Sequence, residues 1–418
     1  MILFLIRYCI EYYITKISSE KSVKKMQIRK VNKLLSHACE NSVFYKNLYK
    51  DLPKGSLKIS CLEDLQKLPI VTKDDFKKFP IEDVLTTQST QNLIVRSTSG
   101  STGKPFDIYS NRKEYFTGYF RTFFSLYYYN PFTHFALIGV VGQKEVIEKK
   151  SFLYYAQKYF KLFRREAYNI FTPPAEIVEK LRDRKINILS STPTGLKVVI
   201  DELKKTNEKL KIGYVVLSGE TLMDDVRDEI KEYLQAKIIN VYGCMEHPSL
   251  AWTNPNEESF SYAPNSIILE YVNHIEINGE LYGELVITNL VNKTMPFIRY
   301  NIGDHVKIID QHKKMGKIIG RIDDVITLKN GTKLFRLQVW SIFSSLKECS
   351  QYKILQKKDG KLYFQAICKK GLDKRLVQEK IENIWKNSFG ESPVEIEFLD
   401  EIPINKKTGK FKNIEVEV

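Results

Sequence analysis

Apolar residues along this chain follow two rhythms. In the segments 20 to 50, 175 to 184, 195 to 210 and 224 to 235 they recur every three or four positions, the period of one face of an α-helix. Between these segments stand short apolar runs, INIL (186 to 189), YVVL (214 to 217) and IINVY (238 to 242), each followed by turn-forming residues. A nearly continuous apolar run is what a strand buried on both faces requires. Helix and strand therefore alternate, and the pattern predicts an α/β fold with parallel or mixed sheets covered by helices. In open sheets of this kind ligands collect where the loops leave the carboxyl ends of the strands. Residues 264 to 320 read as short strands with turn signals at Asn278-Gly279 and Tyr282-Gly283. Beyond Arg321 the pattern becomes a small α+β unit: strands near 325 to 328, 351 to 357 and 361 to 368, a helix near 373 to 388 and a last strand near 393 to 399.

Charge is distributed unevenly over this pattern. The chain of 418 residues has a formal net charge of +15, and residues 1 to 50, a basic helical segment, hold ten Lys or Arg against three acids. The opening MILFLIRYCIEYYIT is apolar, but Arg7 and Glu11 interrupt it, so it is too short to span a bilayer. It reads as a helix packing its aromatic and aliphatic side on the main domain, or as an interfacial helix at a membrane surface. No nucleic-acid reader motif accompanies the basic balance, so nucleic acid is not an expected partner. The six cysteines are scattered without a CxxC pair, which suits reduced thiols and a cytoplasmic protein, peripheral at the inner membrane face if the first helix is interfacial. Zinc has no evident site.

The densest chemistry lies at residues 97 to 105, STSGSTGKP. Gly100 and Gly103 let backbone amides approach phosphate oxygens, Ser97, Thr98, Ser99, Ser101 and Thr102 supply hydroxyl donors, and Lys104 supplies a charge. The spacing is shorter than that of the Walker loop, so a P-loop NTPase is excluded. On composition alone the stretch reads equally as a phosphate loop or as a Ser/Gly linker.

Four further stretches follow it in order: LSGE (217 to 220), VYGCME (241 to 246), MPFIRYNIGD (295 to 304) with GRIDD (320 to 324), and KKTGK (406 to 410). Together with the loop they resemble the signature of the adenylate-forming superfamily of acyl-CoA synthetases, adenylation domains and luciferases. Upstream, LLSHACENSVFYKNLYKD (34 to 51) and LEDLQKLPIVTKDDFKKF (62 to 79) resemble the branch that contains phenylacetate-CoA ligase and the CapK-like proteins of capsular polysaccharide clusters. The resemblance spans nearly the whole chain. It implies a large N-terminal ATP- and acid-binding domain, 1 to 322, and a small mobile α+β lid, 323 to 418, turning about a hinge at Asp323.

The resemblance also implies a chemistry and its residues. A carboxylic acid would attack the α-phosphate of ATP to give an acyl-AMP with release of pyrophosphate, and the acyl group would pass to CoA or another thiol. Transfer to an amine or hydroxyl of a sugar, or to a carrier protein, is the CapK-like alternative; a nucleotide-binding partner protein without turnover is the reading from another class. Lys410 would bridge the substrate carboxylate and the α-phosphate, with Lys104 on the phosphates. Glu246 would ligate Mg²⁺, which takes one or two carboxylates plus phosphate oxygens. Tyr242 would stack on adenine beside Gly243, with Gly219 and Glu220 as the opposite wall. Asp304 would hold both ribose hydroxyls, since a carboxylate accepts two hydrogen bonds at once, and Arg321 would reach the nucleotide. Arg299 is open between holding the loop and binding phosphate, and His247 between structure and the acyl site. The aromatic stretch 115 to 132 reads as core, with an acyl pocket as the other reading.

Overall fold

A computed structural model describes the chain except residues 1, 98–105, 126–131, 141–158, 162–163, 256, 278, 310–313, 322–324, 344, 370, 403–413 and 418. The described chain divides into two compact units: Met1–Ile302 with Lys307–Lys317, and Gly303–Val306 with Ile318–Val418. The expected boundary and hinge at 322/323 lie outside the described residues.

The larger unit begins with helices α1 (Ile2–Ile17), α2 (Glu20–Asn41) and α3 (Val43–Tyr49), then the short α4 (Lys73–Lys77) and α5 (Ile81–Val84). A hairpin of β1 (Ile94–Ser97) and β2 (Asp107–Ser110) leads into α6 (Arg112–Ser125). The alternating region follows: β3 (Phe135–Gly139), β4 (Arg165–Asn169), α7 (Pro174–Arg184), β5 (Ile188–Ser191), α8 (Pro193–Thr206), β6 (Tyr214–Ser218), α9 (Asp224–Glu229) and β7 (Lys237–Tyr242). Next come β8 (Ala251–Thr253), β9 (Phe260–Tyr262), β10 (Ile267–Ile277), β11 (Glu280–Asn289), β12 (Tyr300–Ile308) and β13 (Lys314–Arg321), of which Gly303–Val306 in β12 and Ile318–Arg321 in β13 count with the smaller unit. Among the described residues these form an eleven-stranded mixed sheet in the order β10-β11-β12-β13-β9-β8-β7-β6-β5-β3-β4. Neighbours from β4 to β7 run parallel, and β8 and β9 turn antiparallel.

The parallel strands read as apolar runs because both faces are covered. Leu189, Val215, Leu217 and Ile238 face a core completed by Ile177 and Leu181 of α7, Leu196, Val199, Ile200 and Leu203 of α8, and Val226 of α9. Their sequence neighbours Ile188, Val216, Ile239 and Val241 face the other way, against Tyr12 of α1 and Trp252. Helix α8 shows how locally specified the elements are: Thr192 accepts from the Gly195 amide at its start, Pro193 opens its first turn, and Asn207 closes it in the left-handed conformation. The expected 224 to 235 helix is split, with α9 passing into a π-helical turn, Ile230–Leu234, before the left-handed Gln235.

The opening helix packs as one of its two readings expected. Tyr8, Tyr12 and Thr15 are buried, and the Tyr12 ring lies 6.2 Å from that of Trp252. Lys30 of α2 clamps it, reaching Glu11 at 2.8 Å and the Asn265 carbonyl at 2.8 Å. No helix among the described residues is long and apolar enough to cross a membrane.

Two expectations for 264 to 320 are corrected. The strands are long, eleven residues in β10 and ten in β11, and Tyr282-Gly283 lies inside β11 rather than at a turn. A Cβ at Gly283 would sit 3.1 Å from the Tyr271 Cβ, beside the bulge between Val272 and Ile275, so this glycine serves a close approach of strands.

The smaller unit includes β14 (Ile326–Thr327), β15 (Lys333–Leu334), α10 (Arg336–Phe343), β16 (Cys349–Gln356), β17 (Leu362–Cys368), α11 (Lys374–Phe389), β18 (Glu395–Phe398) and β19 (Ile414–Val416). Its main sheet runs β18-β17-β16-β19, and Val339, Phe343, Ile354, Phe364, Ile381 and Trp385 fill its core. The strand expected last, β18, is followed by β19, and α10 was not foreseen.

Candidate active site

Three adjacent parallel strands end side by side and bring the first motifs together. Ser191 of β5 pairs with Leu217 of β6, and Ser218 of β6 pairs with Val241 of β7. The residues that follow, Thr192 to Thr194, Gly219 with Glu220, and Tyr242 with Gly243, therefore line one carboxyl edge of the sheet. Gly219 has φ +83°, a conformation that only glycine adopts without strain. Glu220 turns to the start of α8, where its Oε2 accepts from the Thr194 amide at 3.0 Å. A carboxylate there compensates an unsatisfied amide and the positive end of the helix dipole. Tyr242 is half-buried, its ring in a T-shaped arrangement with that of Phe260, centroids 6.5 Å apart.

The VYGCME turn folds tightly over this edge. The Cys244 and His247 backbones bond each other, and a Cβ at Gly243 would come within 2.6 Å of the Ser249 nitrogen. The turn places Glu246 where only 6% of it is exposed. Its Oε1 accepts from the Tyr300 hydroxyl at 2.8 Å, and its backbone carbonyl accepts from the Asn289 side chain at 2.9 Å. Asn289 in turn accepts from the Val291 and Asn292 amides. A nearly buried carboxylate with one oxygen held by a hydroxyl suits a magnesium ion that draws its other ligands from phosphate and water. His247 is fully buried.

The segment ahead of Tyr300 settles the open reading of Arg299. Its guanidinium is buried, pairs with Glu270 at 3.0 Å and donates to the carbonyls of Leu68 and Gln66. The Val71 amide donates to the Arg299 carbonyl, and Val71 bridges Tyr300. Arg299 thus ties the 66 to 71 segment to the strand carrying Tyr300, which is the loop-holding reading. Burial pushes the Glu270 carboxyl above its ordinary range, with the Arg299 charge working against it.

Of the phosphate loop, Ser97 is described: it is exposed at the end of β1 and donates to Asp107 at 2.5 Å across the β1–β2 ladder. That ladder holds Ser97 and Asp107, the residues flanking the loop, side by side. Thr98, Ser99, Gly100, Ser101, Thr102, Gly103 and Lys104 lie outside the described residues, as do Asp323 and Lys410. In the smaller unit Asp304 and Arg321 meet, with Nε 3.5 Å from Oδ1. Gly303, at φ +84°, leaves the Arg321 guanidinium room at 3.4 Å from where a Cβ would stand. Of the aromatic stretch 115 to 132, Phe116 and Phe132 are exposed, against the core reading for those two.

Sequence reasoning missed three positioning groups. Tyr300 stood inside the quoted RYNIGD, but nothing local pairs it with Glu246. Asn289 carried no signal. Glu114, buried at the start of α6, accepts from the Lys293 and Thr294 amides at 2.8 and 3.1 Å and so fixes the approach to the MPFIRY segment.

No family model matches the chain. It is 23% identical over 422 residues to Protein CapK of Staphylococcus aureus, covering 95% of this chain and 90% of that one. It is 23% identical over 384 residues to phenylacetate-coenzyme A ligase of Thermus thermophilus, covering 82% and 80%. Among solved structures, 2-hydroxyisobutyryl-CoA ligase in its postadenylation state with 2-HIB-AMP matches with TM-score 0.71 at 16% identity, over 94% of this chain and 89% of that one. The anthranilate CoA ligase AuaEII with anthranoyl-AMP matches with TM-score 0.57 at 16% identity, over 83% and 73%. The fold is thus that of these acyl-CoA ligases, and over most of its length the chain is similar in sequence to CapK and to phenylacetate-coenzyme A ligase.

Proposed function

We propose that this protein is an AMP-forming ligase that activates a carboxylic acid with ATP and passes the acyl group to CoA. The observation carrying this reading is the assembly of LSGE and VYGCME on one carboxyl edge of the parallel sheet, with the Glu246 carboxylate held by Tyr300.

A carboxylate is a poor acyl donor because its leaving group would be oxide. Attack of its oxygen on the α-phosphorus of ATP forms the acyl–phosphate bond and breaks the bond to pyrophosphate. AMP is then a competent leaving group when a thiolate attacks the acyl carbon. The first step brings two anions together, so it needs cations and fixed donors at the phosphates. In this reading Lys104 and the hydroxyls and amides of residues 97 to 103 hold the β- and γ-phosphates, and Lys410 neutralises the substrate carboxylate and α-phosphate. Tyr242 and Gly243 take one face of adenine, Gly219 and Glu220 the other, and Asp304 holds the ribose with Arg321 beside it. Glu246 would hold Mg²⁺, which supplies charge neutralisation on the phosphates. Rotation of the 323 to 418 unit about Asp323 would exchange the adenylation and thioester-forming arrangements.

The match to CapK, the longest of those reported, favours one second reading. In it the acceptor is an amine or hydroxyl of a sugar, or a carrier thiol, and the first half-reaction is unchanged. Exchange of labelled pyrophosphate into ATP over a panel of aromatic, fatty, amino and sugar acids tests the shared step. An acid-dependent signal is the expected result, and its absence for every acid class would overturn the enzymatic reading. With an active acid in hand, AMP release on adding CoA, against AMP release on adding an amino sugar, separates the two acceptors.

A further inference from the structure

We propose that the outward face of α1, with the α1–α2 cleft beside it, docks this protein on an anionic membrane surface. Helix α1 is apolar on two opposite sides. Tyr8, Tyr12 and Thr15 point inward and are buried, whereas Ile10, Ile14 and Ile17, at i, i+4 and i+7, point outward and are 53, 54 and 86% exposed, with Tyr13 beside them at 49%. The inner face already anchors the helix, so packing does not account for the outer one. An amphipathic interfacial helix presents just such an apolar stripe, flanked by cations.

The cations are in place. Arg7, Lys16, Lys21, Lys25 and Arg29 are exposed on α1 and α2. Two of the three acids within residues 1 to 50 are engaged by lysines: Glu11 by Lys30 at 2.8 Å, Glu20 by Lys24 at 3.0 Å. Ten Lys or Arg stand against three acids in residues 1 to 50, so this segment carries a basic surplus. Between the helices lies a cleft of about 410 Å³ lined by Ile10, Ile14, Val23 and Met26, with Arg7 and Arg29, the hydroxyls of Thr15, Ser18 and Ser22, and Glu11, whose carboxylate Lys30 engages. Apolar walls beside two guanidinium groups match a lipid phosphate with the start of its acyl chain.

The same charge argues against a second copy of the chain as occupant. A two-fold interface would set this patch against itself and bring like charges together. The contact would lie along the bilayer surface, since α1 is too short and too charged to cross it.

The test is sedimentation of the full chain with vesicles of about three parts phosphatidylcholine to one part phosphatidylglycerol, and with phosphatidylcholine alone. The expected result is pelleting with the anionic vesicles only, lost as salt is raised from about 0.05 to 0.5 M. The triple variant Ile10→Ser, Ile14→Ser, Ile17→Ser should bind at least about tenfold more weakly at an unchanged melting temperature. The charge variant Lys21→Glu, Lys25→Glu should weaken binding while leaving the apolar face intact. Failure to pellet with anionic vesicles, or equal pelleting with neutral ones, would overturn the proposal. So would a chain that ignores vesicles and goes from dimer to monomer in the triple variant, which would give the face to a second copy.

Discussion

Replacing Arg299 by Met keeps most of the buried volume but removes a guanidinium on which several partners depend. Glu270 loses its counter-charge at 3.0 Å, and the Leu68 and Gln66 carbonyls lose a donor. Breaking a buried ion pair from one side costs about 3–5 kcal/mol, and each stranded carbonyl adds about 1 kcal/mol. The left-handed backbone at position 299, φ +49°, is the same for either side chain and cancels. The expected loss is therefore about 5–7 kcal/mol, lessened to the extent that Glu270, already pushed up by burial, takes a proton. Removing both charges together, Arg299→Met with Glu270→Leu, should recover most of it, because an apolar pair strands no buried charge. Urea unfolding followed by fluorescence of Trp252, which is buried in the larger unit, measures both variants. Unchanged stability in Arg299→Met together with a tenfold weaker affinity for ATP would refute the reasoning, since the guanidinium would then be holding phosphate.

Tyr300→Phe removes one hydroxyl, the donor at 2.8 Å to Glu246. A hydrogen bond to a charged group contributes about 1.5–3 kcal/mol, so pyrophosphate exchange should fall about tenfold or more and the Mg²⁺ concentration for half-maximal exchange should rise; an unchanged Mg²⁺ requirement would count against a positioning role. The Glu229 carboxyl is disfavoured by burial, but the hydrogen bond from Lys204 and the charge of Lys197 outweigh this and hold it below its ordinary value of 4.5. Because its folded value is the lower one, its contribution is present above pH about 4.5 and lost as pH falls through the folded value. Glu229→Gln should therefore flatten the acid limb of a melting-temperature profile while lowering the plateau, and a parallel downward shift at all pH values would refute the assignment.

How far the sequence carried depends on whether a signal was local. Strands β5, β6 and β7 were readable because burial on both faces writes a continuous apolar run into INIL, YVVL and IINVY. Helix α8 was readable because Leu196, Val199, Ile200 and Leu203 repeat the helical period. Gly283 misled because a glycine looks the same whether it makes a turn or admits a neighbouring strand. Glu270 and Arg299, far apart in the chain, and Glu246 and Tyr300 likewise, meet only through the ladder of β10 to β12 and the 243 to 249 turn, which no local rhythm encodes. The candidate nucleotide residues were legible through their order and resemblance alone; nothing in the periodicity marks Glu246 or Asp304.

The cramped seat of Gly243 bears on how distant relatives should be read. With the Ser249 nitrogen 2.6 Å from the place of a Cβ, that glycine is demanded by the shape of the turn whether or not any ATP is ever cleaved. A descendant that had abandoned catalysis but kept its architecture would still need it. Glu246 and Tyr300 form a different kind of signature, because a buried carboxylate is costly to keep without work for it. On the role proposed for Glu246, the acid and its phenol are the informative columns when similar sequences are sorted into working and retired enzymes, and the glycine between the strand and the acid is not.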